Sequence, residues 1–440
     1  MKLLKVDTLE AALDKLEAAM VSGGTHGAGG IHGAGTPKTE MVPVLHALGR
    51  IAAEDVLCGE DIPGFDRSTM DGYAVVARDT QGAGETMPTF LDLEGEVEMG
   101  KEPEFSLKSG QCAYVPTGGM LPQGADAVAM VEYCQPFGTD KVAVYSPLSS
   151  GHNMVHAGDD VGSGEVLVSR GRRIRPSDMG LLSAAGKTEI KVYKPWKIYI
   201  ISTGDEIVPP ETMPLPGQVR DVNSAGLLGE ALSWGFDVAG LEVVWDSQEV
   251  LTDKVHSAMK ECDVVIISGG SSQGKKDATE TVIDNLTSSG AFTHGLAVKP
   301  GKPTIIGFDE PTECAVIGLP GHPVAALLLF RLIVGEIWKR LTGMAEIEKE
   351  IAVDAVMASN IAASPGRKTF QLVTLDYEHA DTETGLPQVV PVLGKSGLIR
   401  TMSAAEGYVV MDVNDEGLSR GERVKVHMFL SIHSGEIFKM

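Results

Sequence analysis

The sequence predicts a multidomain α/β plus β protein. A parallel α/β domain lies mid-chain, a small β domain is inserted into a helical and extended N-terminal part, and a barrel-like β domain closes the chain. Three observations carry this. The 440 residues leave room for roughly three domains of ~150 residues. Between Lys197 and Arg340, buried-strand runs alternate with helical patterns, as in sheets built from crossover units. From Cys58 to Leu148, and again beyond Ile351, short apolar runs punctuated by Gly, Pro and Thr replace that alternation. The expected domains are 1–56 with 149–186 (discontinuous), 57–148, 187–345 and 346–440.

The elements follow in order. Leu9, Leu13, Leu16 and Met20 fall on one face of an N-terminal helix, with Asp7 as its expected cap. Residues 22–37, SGGTHGAGGIHGAGTP, offer no large side chain but Ile31 and read as a flexible insertion. Its His26 and His32 can meet a metal only adventitiously. Leu45, Leu48 and Ile51 give Met41–Val56 a short helical pattern. YAVVA, FLDLEGEVE, QCAYVPTG, DAVAMVEY and KVAVYSP are β signals of the inserted domain, and IRPSDMGLLSAAG returns to helix. Strands are then expected at 197–202, 238–245, 263–268, 304–308 and 315–318, and helices at 224–234, 250–260, 279–288 and 324–340. TFQLVTLDY, QVVPVL, GYVVMDV and ERVKVHMFL supply the last β domain.

Composition narrows the function. Hydrophobic residues make up 43%, enough for packed cores, so disorder is not the main state. Sixty acidic against 37 basic residues leave a net charge of −23. A nucleic-acid binder needs a basic stripe, and none is present. An acidic chain that handles an anion must gather its few bases locally. Five cysteines, never in a CxxC pair, fit reduced thiols better than a disulfide framework or a zinc site. The apolar run Val324–Phe330 ends at Arg331, far short of the ~20 residues of a membrane span. No signal peptide is visible, and a cytoplasmic location is expected.

Ligands of open parallel sheets bind beyond the carboxyl ends of the strands. Here those ends carry Thr203-Gly204-Asp205-Glu206, Asp246-Ser247, Ser268-Gly269-Gly270-Ser271-Ser272-Gln273-Gly274 and Leu319-Pro320-Gly321-His322-Pro323. Glycine-rich turns bring backbone N–H groups close to an anion, and helix N-termini add a positive dipole end. Asp205, Glu206, Asp246 and Asp277 can hold Mg²⁺ against phosphates. Lys299-Pro300-Gly301-Lys302-Pro303 is the local basic cluster that the charge balance requires. Gly269-x₄-Gly274-Lys275 imitates a phosphate-binding P-loop, but Lys276 stands where the Mg²⁺-ligating hydroxyl belongs. His152 and His156, near Asp159 and Asp160, have a metal-like spacing, yet Gly151 and Gly158 place them on a loop.

FDRSTMDGYA (65–74), TGGMLPQGADAVAMVE (117–132), STGDE (202–206), SGGSSQGKKD (268–277), KPGKP (299–303) and GLPGHPV (318–324) together resemble the molybdopterin molybdenumtransferases. This molybdenum-insertion family includes the gephyrin E domain. TGDE and SGG are shared with other molybdopterin-binding domains; MDGYA and the terminal β domain separate this family from them. The resemblance implies a four-part subunit and a homodimer. It also implies insertion of molybdate into adenylylated molybdopterin, with Mg²⁺-dependent release of AMP, and the pathway's adenylyltransferase as a partner. By the same carry-over, Asp246 and Asp277 hold Mg²⁺, Asp205 and Glu206 shape the pterin-phosphate site, and Lys299 and Lys302 face the oxyanion. Asp71 of the partner subunit completes the site, while Arg367 (GRKTF) and Ser396 (GKSG) are the terminal domain's contribution. Thr117 and Asp160, Thr203 and Gly204, Ser268, Gly269, Gly270 and Ser272, and Gly318, Pro320, Gly321 and Pro323 complete the expected substrate contacts. Where the family carries Asn-Pro-Val-Ser, this chain has His322-Pro323-Val324-Ala325, losing a hydroxyl donor. Two other classes predict different behaviour: a P-loop-like phosphotransferase binds and hydrolyses ATP, and a scaffold that merely keeps the fold has no need of buried charge at one rim.

Overall fold

The computed structural model describes residues 6–22, 37–245, 247–269, 278–348 and 351–429. The Gly/His insertion, Asp246 and residues 270–277 lie outside the described residues, and so does the P-loop-like match. The chain forms two compact units: 1–54 with 170–175 and 189–440, and 55–169 with 176–188.

At the centre of the first unit is a six-stranded sheet. Its order is Asp237–Val244, Lys197–Thr203, Val264–Gly269, Cys314–Leu319, Ile305–Asp309, Ala291–His294. Successive side chains alternate between its faces. Ile198, Ile200, Val264 and Ile266 enter one core with helices Asn223–Trp234 and Pro323–Phe330. Ile201, Val265 and Ile267 enter the other with Gln248–Met259 and Ala278–Leu286. The first four strands are parallel. Ile305–Asp309 runs antiparallel to both of its neighbours, so the sheet is mixed and not wholly parallel. The cause is local: only a short turn joins Asp309 to Cys314, and a parallel return needs a crossover of a dozen or more residues.

The long helix expected from Val324 continues through a π-helical turn, Arg331–Gly335, into Glu336–Thr342. The N-terminal helix spans Leu9–Ser22 and buries Leu9, Leu13, Leu16 and Met20. Its cap is Thr8, whose Oγ1 accepts from Ala11 N at 3.1 Å. Asp7 instead binds Lys15 Nζ at 2.6 Å and Thr293 Oγ1 at 2.8 Å. Thr8→Ala is expected to cost about 1 kcal/mol, read as a lower urea midpoint; no shift would deny the cap. Of the helical pattern over Met41–Val56 only a single 3-10 turn forms, Val44–His46. Thr39–Pro43 is a strand, antiparallel to Glu189–Tyr193, and Pro43 cannot sit inside a helix. Leu45 is 79% exposed.

The C-terminal domain is a closed barrel. Lys368–Asp376, Gln388–Pro391, Ala352–Met357, Arg423–Met428 and Gly407–Met411 pair in that order, and the last returns to the first. Met357, Val373, Leu375, Val389, Val409 and Val426 fill it. The two-residue strand Val298–Lys299 adds to the barrel beside Lys368 and Thr369. The KPGKP segment is thereby tied to the barrel.

The second unit is built on a six-stranded sheet: Ala127–Met130, Gly72–Val75, Gln111–Val115, Thr89–Glu96, Lys141–Val144, Cys134–Phe137. A Cβ at Gly72 would stand 2.1 Å from the Ala129 carbonyl oxygen, which explains the glycine of MDGYA. Cys112 lies in this unit's core and half-buried Cys134 packs against it; burial pushes both thiols up to about 12, and such thiols are inert at neutral pH. Among the described residues no helix is long and apolar enough to cross a membrane.

Candidate active site at the sheet's switch point

Strand order reverses beside Lys197–Thr203: the sheet's next strand in chain order, Asp237–Val244, lies on one side and Val264–Gly269 on the other. The crevice beyond these carboxyl ends is the general ligand position of such sheets. Thr203 and Gly269 are register partners there. Gly269 has φ +111°, and a Cβ would fall 2.1 Å from the Thr203 carbonyl oxygen. At Gly321 a Cβ would lie 3.4 Å from Gly269 Cα. Thr203, Gly269 and Gly321 thus meet in close backbone approach, and neither glycine position has a side chain.

A buried polar network holds these ends. Asp221 Oδ1 accepts from Asn223 N and Ser224 N, both at 3.1 Å. It also accepts from Ser202 Oγ at 3.1 Å. The carboxylate therefore serves the first N–H groups of helix Asn223–Trp234, where negative charge is favoured. Asn223 Nδ2 donates to Ser268 Oγ at 2.8 Å and to the Gly321 carbonyl at 2.9 Å. One carboxamide so pins two strand-end loops. Asn223 Oδ1 and Thr203 Oγ1 are buried without a hydrogen-bond partner among the described residues.

Charged side chains sit on turns at this end of the sheet, where Ile305, just past the lysine segment, is the register partner of Gly318. Asp205 and Glu206 are exposed on the turn after Thr203 and Gly204, which Ile207 N closes on the Gly204 carbonyl at 3.1 Å. Lys299 and Lys302 are exposed and make no ion pair among the described residues. Gly301 between them has φ +117°, and a Cβ would strike Leu329 Cδ1 at 2.3 Å, so the turn is pressed onto the helix. Arg367 lies on an exposed turn directly before Lys368, the register partner of Val298; the barrel brings it to the lysine segment. Ser396 Oγ lies 2.8 Å from His322 Nδ1.

Other expected residues have structural roles. Gly318 is inside its strand, where a Cβ would meet Thr279 Cγ2 at 2.7 Å. Pro320 ends that strand, and Pro323 is buried as the first residue of helix Pro323–Phe330. Ala325 is 2% exposed, so a hydroxyl there would enter the core and not the rim. Asp246, Gly270, Ser272 and Asp277 lie outside the described residues.

In the second unit Asp71 and Thr117 meet. Asp71 Oδ1 accepts from Thr117 N at 2.7 Å and Thr117 Oγ1 at 2.8 Å. These bonds, the backbone one first, hold the Asp71 carboxyl below its ordinary value. The stabilisation belongs to the ionised form; it is present above the unfolded pKa and lost as pH falls through the lowered one. Thr117→Val keeps the N–H and removes the hydroxyl, so the Asp71 titration followed by carboxyl ¹³C NMR is expected to move upward. An unmoved titration would deny the contact. Asp160 is exposed, its N–H bonded to the Ile62 carbonyl at 3.0 Å. His156 Nδ1 faces Asp66 Oδ2 at 3.5 Å. Among the described residues no three His, Cys, Asp or Glu side chains gather to hold a metal.

Comparison with known proteins follows this geometry. Residues 8–186 match the MoeA N-terminal region (domain I and II) and 354–429 the MoeA C-terminal region (domain IV). Between them, 199–340 match a molybdopterin binding domain of molybdenum cofactor biosynthesis. A molybdopterin biosynthesis protein of Methanocaldococcus jannaschii is 32% identical over 400 residues, 89% of this chain and 92% of that one. The chain belongs to the MoeA family. The molybdopterin molybdenumtransferase of Haemophilus influenzae is 30% identical, covering 89% of this chain and 94% of its own. The molybdopterin biosynthesis MoeA protein of Pyrococcus horikoshii superposes with a TM-score of 0.78 at 36% identity, covering 97% of this chain and 100% of that one.

Sequence reasoning passed over Asp221, Asn223 and Ser224 of this MoeA-family chain. The signal was available: Asp-Val-Asn-Ser directly before an apolar helical run is an N-terminus signature.

Proposed function

We propose that this chain inserts molybdate into adenylylated molybdopterin, in molybdenum cofactor biosynthesis, with Mg²⁺-dependent release of AMP. The observation that carries the reading is the pair Lys299 and Lys302, exposed and without an ion pair among the described residues, at the seam between the switch-point sheet and the barrel. In a chain of net charge −23, such a local cationic spot is where an oxyanion is met.

The side-chain-free backbone at Gly269 and Gly321, beside Thr203, admits the pterin and its phosphates. Lys299, Lys302, Arg367 and Ser396 supply donors to molybdate. Asp246 and Asp277 carry hard oxygen atoms of the type Mg²⁺ takes, and Asp205 and Glu206 shape the pterin-phosphate site. A Mg²⁺ ion held by these carboxylates would supply neutralisation of the phosphate charge. The active form is a homodimer in which Asp71 of the partner subunit contributes a carboxylate.

The test combines purified protein, adenylylated molybdopterin, molybdate and Mg²⁺, and measures AMP. Molybdate-dependent AMP release supports the reading. Hydrolysis of ATP with no AMP release from the pterin would replace it with a phosphotransferase.

A further inference from the structure

We infer that His322 is a positioning residue for Ser396, and through it sets how the barrel recognises the oxyanion. This rests on the reading above, in which Ser396 is a donor to molybdate.

Ser396 belongs to the 393–398 loop, between strand Gln388–Pro391 and helix Ile399–Ala404. The loop closes on itself by one turn bond, Leu398 N to the Lys395 carbonyl at 2.9 Å. Among the described residues, its hydrogen bonds to the sheet domain run through Ser396. His322 Nδ1 meets the Ser396 hydroxyl at 2.8 Å, and Val324 N donates to the Ser396 carbonyl at 3.2 Å. A Cβ at Gly397 would lie 3.7 Å from His322 Cδ2, so the imidazole also lies beside the next residue of the loop.

The imidazole stands on a fixed base. The preceding carbonyl, Gly321, is held by buried Asn223 at 2.9 Å. The following residue, Pro323, is buried, and the His322 carbonyl accepts from Ala326 N at 3.0 Å as the helix begins. A side chain with both neighbours anchored loses little further freedom when it grips a loop. The 2.8 Å contact also decides where the serine proton goes. A hydroxyl has one proton to give. When Nδ1 carries a hydrogen, Ser396 Oγ accepts from it, and the serine proton is left to donate to an oxyanion. When Nδ1 is bare, the serine proton is spent on the ring. His322 thus fixes the loop and leaves Ser396 a donor once an anion selects the Nδ1–H form.

Two measurements test this. The first needs no substrate: amide hydrogen exchange of wild type, His322→Ala and His322→Asn. In His322→Ala, exchange at 394–398 is expected to rise about tenfold, with exchange in helix Pro323–Phe330 unchanged. His322→Asn keeps a hydrogen-bonding atom at the δ position, restores part of the protection, and serves if the alanine variant is unstable. Exchange as in wild type for both variants overturns the clasp, whatever the enzyme catalyses. The second is kinetic. His322→Ala and Ser396→Ala are each expected to raise KM for molybdate about tenfold, with KM for adenylylated molybdopterin within about twofold, and the double variant is expected to be no worse than the single ones. Additive losses, or losses on the pterin KM alone, would overturn the inference. If wild type releases no AMP, the proposed function fails, while the exchange result still decides the clasp.

Discussion

Lys299→Ala/Lys302→Ala is expected to lower kcat/KM for molybdate-dependent AMP release about a hundredfold or more. Hydrogen bonds to charged groups are worth about 1.5–3 kcal/mol each, and ~1.4 kcal/mol is tenfold in rate. Neither lysine is engaged by an acid among the described residues, so their charge is available to a ligand. The protein's −23 repels an anion at long range, and the two ammonium groups act only within a Debye length of about 10 Å at 0.1 M salt. The wild-type advantage is therefore expected to be largest at low ionic strength. Calorimetric titration of molybdate and adenylylated molybdopterin at two salt concentrations tests the origin of the loss. Wild-type affinities in the variant at both salts would return the turn to a structural role. Each single variant is expected to lose about tenfold, a size consistent with one lost contact.

How much of this was legible without coordinates differs by element. The strands Lys197–Thr203 and Val264–Gly269 stood out because they are buried on both faces, and continuous apolar runs record that. Their direction did not show. Ile305–Asp309 runs antiparallel to Cys314–Leu319 although its composition resembles the parallel strands, because a strand's residues record burial and not orientation. Met41–Val56 failed for another reason. The partner of Thr39–Pro43 is Glu189–Tyr193, about 150 positions away, and no local periodicity reports a contact at that distance.

The site divides in the same way. Glycine-rich strand ends and paired lysines are visible because both break the ordinary run of residues. The posts that hold them are not. Asn223 and Asp221 act by bonds to Ser268, Gly321 and Ser202, contacts that topology makes. Asp7 and Thr8 show the smallest version of the problem. Either side chain can cap a helix, and the choice was made by Lys15 and Thr293, which hold the aspartate elsewhere.

Gly269→Ala is expected to be the most damaging small substitution at the rim. Two costs fall together. A φ of +111° is outside the regions an L-residue adopts readily, a penalty of about 1–2 kcal/mol. The added methyl would stand 2.1 Å from the Thr203 carbonyl oxygen and 3.2 Å from its carbon. Those atoms belong to the paired strand and cannot swing aside like a side-chain tip, so overpacking adds about 1–3 kcal/mol. The sum is near 3 kcal/mol, or a Tm lower by roughly 5 °C for a folding unit of this size. Because the displaced atoms are the strand ends themselves, AMP release should fall with stability. Gly321→Ala is the control. Its Cβ would lie 3.4 Å from Gly269 Cα, and no positive φ adds strain, so its cost should stay within about 1 kcal/mol. Thermal melts of both variants decide the matter. A Gly269→Ala protein that melts with Gly321→Ala would mean the two strand ends separate freely, and the close approach of backbone at the switch point would lose its role in shaping the site.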